Sequence, residues 1–150
     1  MPKVIKAYDN LELDFNNLTK FLSSHNWVSK HSGNWIHQYA LQSCFVIEDV
    51  HQDPKFETIL RKIANDNELS GQNIDVHLFV GFAQGASSTI HKDNYSVYLY
   101  GLYGETMYIV NEEKYILGKG DFIKINRGDT HQAIGLSPRI ILSLAEIPNE

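Results

Sequence analysis

The sequence predicts a mainly β protein, an antiparallel barrel or sandwich with helices flanking it on the N-terminal side. Three observations predict it. From Ile74 onward, short runs of β-branched and aromatic residues recur, and IDVHLFVGF places Ile74, Val76, Leu78, Val80 and Phe82 on one face of a period-two pattern. Gly, Asn and Asp turn signals separate these runs at short intervals. No helical periodicity lies between them, and parallel strands would need such crossover segments.

The elements follow in order. In DFNNLTKFLSS, Phe15, Leu18 and Leu22 recur at helical spacing. In DPKFETILRKIAND, Phe56, Ile59, Leu60 and Ile63 do so more regularly, with Asp53 as N-cap and Pro54 at the first helical position, where its missing N–H costs nothing. Between the two, NWIHQYALQSCFVIEDV reads as one or two strands, and Trp27 and Trp35 read as packing anchors around a Ser32-Gly33 turn. After IDVHLFVGF the strands are SVYLYG, TMYIV, EKYIL, DFIKI and RIILSLA. The turns between them are Asn111-Glu112-Glu113, Gly118-Lys119-Gly120-Asp121 and Arg127-Gly128-Asp129. One domain spans 1–150, with flanking helices and strands over 1–73 and the barrel core over 74–147.

Composition narrows the function classes. At 43% hydrophobic and 21% charged residues the chain has a folded, globular make-up. A formal net charge of −5 and no Lys/Arg cluster give no electrostatic footprint for nucleic acid. No apolar run approaches the ~20 residues that span a bilayer, and MPKVIKAYDN has no signal-peptide core, so a cytoplasmic protein without membrane contact is expected. Cys44, the single cysteine, sits in an apolar run and reads as a small buried hydrophobe.

The chemistry concentrates in Ser88-Thr89-Ile90-His91-Lys92-Asp93-Asn94. An imidazole and a carboxylate two residues apart on extended chain share a face, and if that face is a barrel interior both need partners. A metal ion satisfies both. The third ligand is expected from His131, just after the Arg127-Gly128-Asp129 turn. Two imidazoles and one carboxylate on one face of an iron leave its other positions open, the facial-triad logic of non-haem Fe(II) oxygenases. The other histidines, His25, His31, His37, His51 and His77, read as surface or satisfied core.

Over roughly residues 75 to 145 the chain resembles the core of the JmjC-type, cupin-fold oxygenases, and the ribosomal-oxygenase-like branch in particular. The motifs are DVHLFVGFAQGASSTIHKDNYSVYLYGLYGETMYIV and GDFIKINRGDTHQA. His91 and Asp93 fall on that family's H-x-D pair, Val97 to Leu102 on the following strand and Gly104 on its glycine. Gly120, Asp121, Arg127, Gly128, His131, Gln132 and Ala133 fall on the later stretch that carries the last ligand. Thr106 stands where the family has a lysine for the co-substrate carboxylate, Lys124 where it has a tyrosine, and Asn126 where it has a proline.

The resemblance implies a double-stranded β-helix (cupin/jelly-roll) barrel holding Fe(II) on His91, Asp93 and His131, with 2-oxoglutarate as co-substrate and hydroxylation of an unactivated C–H bond as the reaction. The far carboxylate needs a cation that Thr106 cannot supply. Arg139 lies eight residues after His131, where other 2-oxoglutarate oxygenases of this barrel fold carry an arginine, and can bind a carboxylate bidentately. Arg139 and Ser143 share a face of their strand. Thr106 or Ser88 is expected to help Arg139, Lys124 is expected to face solvent, and Tyr98 or Tyr108 to touch the site. The substrate, a small molecule or a protein, is not specified by these residues. Two other readings stay open: a cupin metalloenzyme working without 2-oxoglutarate, and a binding or structural cupin module that pairs with a second copy through an edge strand. The plain-cupin motif of two histidines and a glutamate is incomplete, since Asp93 holds one position and Val97 and Tyr98 stand where the glutamate is expected.

Overall fold

In the computed structural model, residues 4–6, 27–29, 44–69 and 73–147 are described. The helix expected over Phe15 to Leu22, together with Trp35, His25, His31 and His37, lies outside them.

The described strands are β1 (Ile5–Lys6), β2 (Trp27–Ser29), β3 (Cys44–Glu48), β4 (Asn73–Gly81), β5 (Gly85–Ala86), β6 (Val97–Tyr103), β7 (Thr106–Val110), β8 (Glu113–Leu117), β9 (Asp121–Ile125), β10 (His131–Gly135) and β11 (Arg139–Ile147). They form two antiparallel sheets. The larger runs β1-β9-β6-β11-β4-β3-β2 and the smaller β5-β10-β7-β8. Consecutive strands alternate between the sheets after β9, as in a double-stranded β-helix, and the expected antiparallel barrel is the observed fold. The strands of the N-terminal half do more than flank it: β3 pairs with β4 and extends the larger sheet.

The 3-10 turn Pro54–Phe56 leads directly into α1 (Glu57–Asp66). Asp53 caps that turn, its carboxylate accepting the Lys55 N–H at 2.9 Å. The buried face of this segment carries Phe56, Ile59 and Ile63, the residues whose spacing predicted it. They pack with Val76, Leu78 and Val80 of β4, Tyr98, Tyr100 and Leu102 of β6, and Ile140, Leu142 and Leu144 of β11. The larger apolar cluster therefore lies between the larger sheet and α1, outside the barrel. Truncating a member such as Ile63 to Ala costs about 2–5 kcal/mol.

Strand alternation dictates what is left for the inside. With Val76, Leu78 and Val80 facing α1, Asp75, His77 and Phe79 face inward. By the same parity β11 directs Arg139, Ile141 and Ser143 inward, with Arg139 and Ser143 on one face as expected, and β6 directs Val97 and Leu99. The β6–β7 hairpin turns on Gly104, whose φ of 67° is left-handed and whose Cβ, if present, would lie 1.8 Å from the Pro138 carbonyl oxygen. That tight turn delivers Thr106 to the first position of β7.

Candidate metal centre and cavity

A cavity of about 290 Å³ opens between the two sheets. At its mouth, His91 and His131 form an isolated antiparallel bridge, with backbone N–H to carbonyl distances of 3.0 and 2.9 Å in the two directions. The bridge brings the two rings to a centroid distance of 4.2 Å, tilted at 57° to one another. It pins the loop that carries the H-x-D pair onto β10.

Each ring is oriented by its own backbone. Nδ1 of His91 donates to the Thr89 carbonyl at 2.7 Å, and Nδ1 of His131 donates to that of Asp129 at 3.0 Å. A carbonyl only accepts, so the proton sits on Nδ1 and Nε2 presents its lone pair, the form that binds a metal. Asp93 Oδ2 lies 3.3 Å from His131 Nε2 and 3.8 Å from His91 Nε2. One ligand atom from each of the three residues lies within 4.8 Å of the others. Three donors of mixed N/O type on one side, with the cavity on the other, fit a divalent transition metal in a facial set. The Asp129 side chain shapes the turn behind His131, accepting from the Asn126 backbone N–H at 3.1 Å and the Asn111 amide at 2.9 Å.

At the opposite end, Arg139 is 3% exposed. One guanidinium nitrogen donates to the carbonyls of Ala83 at 2.6 Å and Ser137 at 3.1 Å, and no carboxylate among the described residues pairs with it. Next to it Thr106 is buried, and its hydroxyl has no hydrogen-bond partner. Thr106 pairs with Gly135 in register, and a Cβ built on Gly135 would meet the Arg139 guanidinium. Tyr108 lines the same cavity as Arg139 and the His91, Asp93 and His131 set; burial raises its pKa far above the usual tyrosine value, with the nearby Arg139 acting in the opposite sense.

The remaining predicted site residues separate. Ser88 lines the cavity, and its hydroxyl oxygen accepts the Ala133 N–H at 3.0 Å, tying the loop to β10. Tyr98 requires a correction. Parity places it on the outer face of β6, buried against the α1 side, with its hydroxyl donating to Glu146 at 3.3 Å and the Lys124 ammonium 5.3 Å from its ring centre. It does not line the cavity. Lys124 is on that outer face too. Cys44 is buried as expected, and it also forms part of the cavity wall. His77 is the residue that the sequence reading missed: it lines the cavity, and its Nδ1 is buried without a partner. The signal was present, because in an alternating strand whose apolar set packs outside, the polar positions between are the lining.

A double-stranded β-helix with a His-Asp-His set able to hold a metal at its mouth is an arrangement of the cupin fold. Residues 78–144 of the chain match the family model described as a cupin domain. Among solved structures, that of E. coli ycfD superposes with a TM-score of 0.75 at 15% identity, covering 99% of this chain and 50% of that one. A structure of YcfD, a ribosomal oxygenase from Escherichia coli, in complex with cobalt and 2-oxoglutarate gives a TM-score of 0.73 at 19% identity, with 99% and 49% covered. KdgF from Halomonas sp. gives 0.54 at 15% identity, with 85% and 92% covered. At these identities the likeness is one of fold, and the chain spans about half the length of the YcfD chains. No curated protein matches the sequence. Among the described residues no helix is long and apolar enough to cross a membrane.

Proposed function

We propose that this protein is an Fe(II)- and 2-oxoglutarate-dependent oxygenase that hydroxylates a C–H bond of a substrate seated at the cavity mouth. The observation that carries the reading is Arg139. A guanidinium buried to 3% exposure without a counter-ion among the described residues is costly by several kcal/mol, and a ligand anion removes that cost. The orphaned Thr106 hydroxyl beside it offers a further donor to the same anion. The anion end lies on the same cavity as the triad, four residues along β10 from His131, or about 13 Å of strand.

When bound, the iron would supply activation of dioxygen, the oxidant, with the oxo acid giving up two electrons as it loses carbon dioxide. His91, Asp93 and His131 hold the metal. Arg139 and Thr106 fix the far carboxylate and so set the direction in which the ligand enters. Arg139 thereby replaces the cation that the family's lysine supplies from the position of Thr106. Phe79, Leu99 and Ile141 line the space between and exclude water from it. Ser88 positions the ligand loop through its bond to Ala133. The YcfD complex, which holds cobalt and 2-oxoglutarate in the same fold, supports this reading.

The test is anaerobic titration of the purified protein with Fe(II) and then 2-oxoglutarate, following the visible charge-transfer band of the chelate, with His131→Ala as control. A band that requires both components and His131 is expected. Iron binding without the band would favour the reading that Thr106 supports, a cupin metalloprotein that works without 2-oxoglutarate. Absence of iron binding would reject both.

A further inference from the structure

Two polar side chains of the cavity are used neither by the fold nor by the function above. His77 on β4 and Ser143 on β11 are register partners on adjacent strands of the larger sheet. Both line the cavity. Ser143 is 4% exposed. His77 Nδ1 is buried without a partner, and neither side chain hydrogen-bonds to a described residue. Leaving a buried polar atom unpaired is costly, and the orphaned His77 Nδ1 beside the Ser143 hydroxyl on the cavity wall marks a place where a ligand completes the hydrogen bonding.

Their depth can be read from the strands. The sheets touch where the Arg139 guanidinium lies against Gly135. Four residues back along β10 from that point is His131, and four residues forward along β11 is Ser143. The two walls therefore reach the metal ligands and the His77–Ser143 pair at a similar depth, on facing sheets about 10 Å apart. Between this pair and Arg139 the same wall is apolar, with Phe79 and Ile141 paired across β4 and β11.

We infer that His77 and Ser143 form a hydrogen-bonding pair for the oxo-acid end of the bound dicarboxylate, facing the metal triad across the cavity. The inference rests on the function proposed above. It adds two binding residues at the metal-proximal end, where Arg139 and Thr106 serve the distal end. An imidazole and a hydroxyl both donate to oxygen, and together they fix the rotation of a planar oxo-acid group that a single contact at the far carboxylate leaves free.

The experiment uses the full chain loaded with Co(II), a metal with a visible d–d spectrum, and titrates first the metal and then 2-oxoglutarate by calorimetry and absorbance. The variants are His77→Phe, His77→Gln, Ser143→Ala and Arg139→Met. Co(II) affinity within about threefold of wild type is expected for His77→Phe and Ser143→Ala, with 2-oxoglutarate affinity about tenfold lower in each and an altered d–d spectrum of the ternary complex. His77→Gln, which restores a donor, is expected to recover part of the affinity. Loss of 2-oxoglutarate binding in Arg139→Met with wild-type affinity in both His77→Phe and Ser143→Ala overturns this inference and leaves the proposed function standing. Failure of the wild type to bind 2-oxoglutarate overturns both. Ser143→Ala removes a single oxygen, so it remains informative if the His77 variants fold poorly.

Discussion

The guanidinium of Arg139 lies against the Cα of Gly135: a Cβ built there would be 1.8 Å from Cζ, and one built on Gly81 would be 2.6 Å away. The arginine occupies a slot between the two sheets that two positions without side chains leave open. Gly135→Ala is expected to push the guanidinium out of line. Overpacking of this kind costs about 1–3 kcal/mol, or a fall in Tm of about 2–4 °C per kcal/mol for a chain of this size. 2-Oxoglutarate binding to the metal-loaded variant should be lost as well, and wild-type affinity in a titration would show that Arg139 is not the anion's partner.

Arg139→Met separates a ligand-binding role from a structural one. The variant removes a buried cation that has no counter-ion among the described residues and keeps most of the volume, so the metal-free protein should be within about 1 kcal/mol of wild type, or more stable. The rise in Tm that 2-oxoglutarate gives to the metal-loaded wild type should vanish. A large drop in the Tm of the metal-free variant would instead mark the arginine as part of the scaffold.

Asp93→Ala should abolish stabilisation by metal. At a free Fe(II) or Co(II) concentration 100-fold above Kd, binding contributes about 2.7 kcal/mol to the wild type. Chelator should return the wild type to its metal-free Tm and leave the Asp93→Ala melting curve unmoved. Equal metal-induced shifts in the two proteins would rule out the triad.

Alkaline stability should carry the signature of Tyr98. Burial, and then the charge of Glu146 that accepts its hydroxyl, raise its pKa from 10.0 to about 12. The folded chain thus keeps a proton that the unfolded chain releases first, and stability is full below pH 10 and falls as pH rises from 10 to about 12. Tyr98→Phe should flatten that dependence in urea unfolding followed across this window. An unchanged slope would mean that other tyrosines dominate it. Tyr108, raised by burial in the same direction, is the first alternative.

The barrel and its ligand set were legible because they rest on local signals. Alternation, turn residues and the capped segment at Asp53 are written in short stretches, and His91, Asp93 and His131 stand in recognisable order around them. Arg139 and Ser143 could be placed on one face by parity alone. What parity cannot tell is which face looks inward, and that cost the reading Tyr98 and His77. The choice depends on α1 covering one side of the larger sheet, a tertiary contact that turns Val76, Leu78 and Tyr98 outward and Asp75 and His77 inward. The slot for Arg139 was likewise invisible, since Gly81 and Gly135 are 54 positions apart in sequence and meet only through the guanidinium between them.

The apolar cluster between α1 and the larger sheet has one more consequence. The strands β4, β6 and β11 anchor themselves through their outward residues, while the inward Val97, Leu99, Ile141 and Ala145 belong to a second apolar cluster that Phe79 packs against. The polar positions of the lining, Asp75 among them, lie outside both clusters. An exchange at Asp75 can redraw what the cavity admits while the frame stays folded, which makes that position one where close relatives of one architecture would diverge in the molecules they accept.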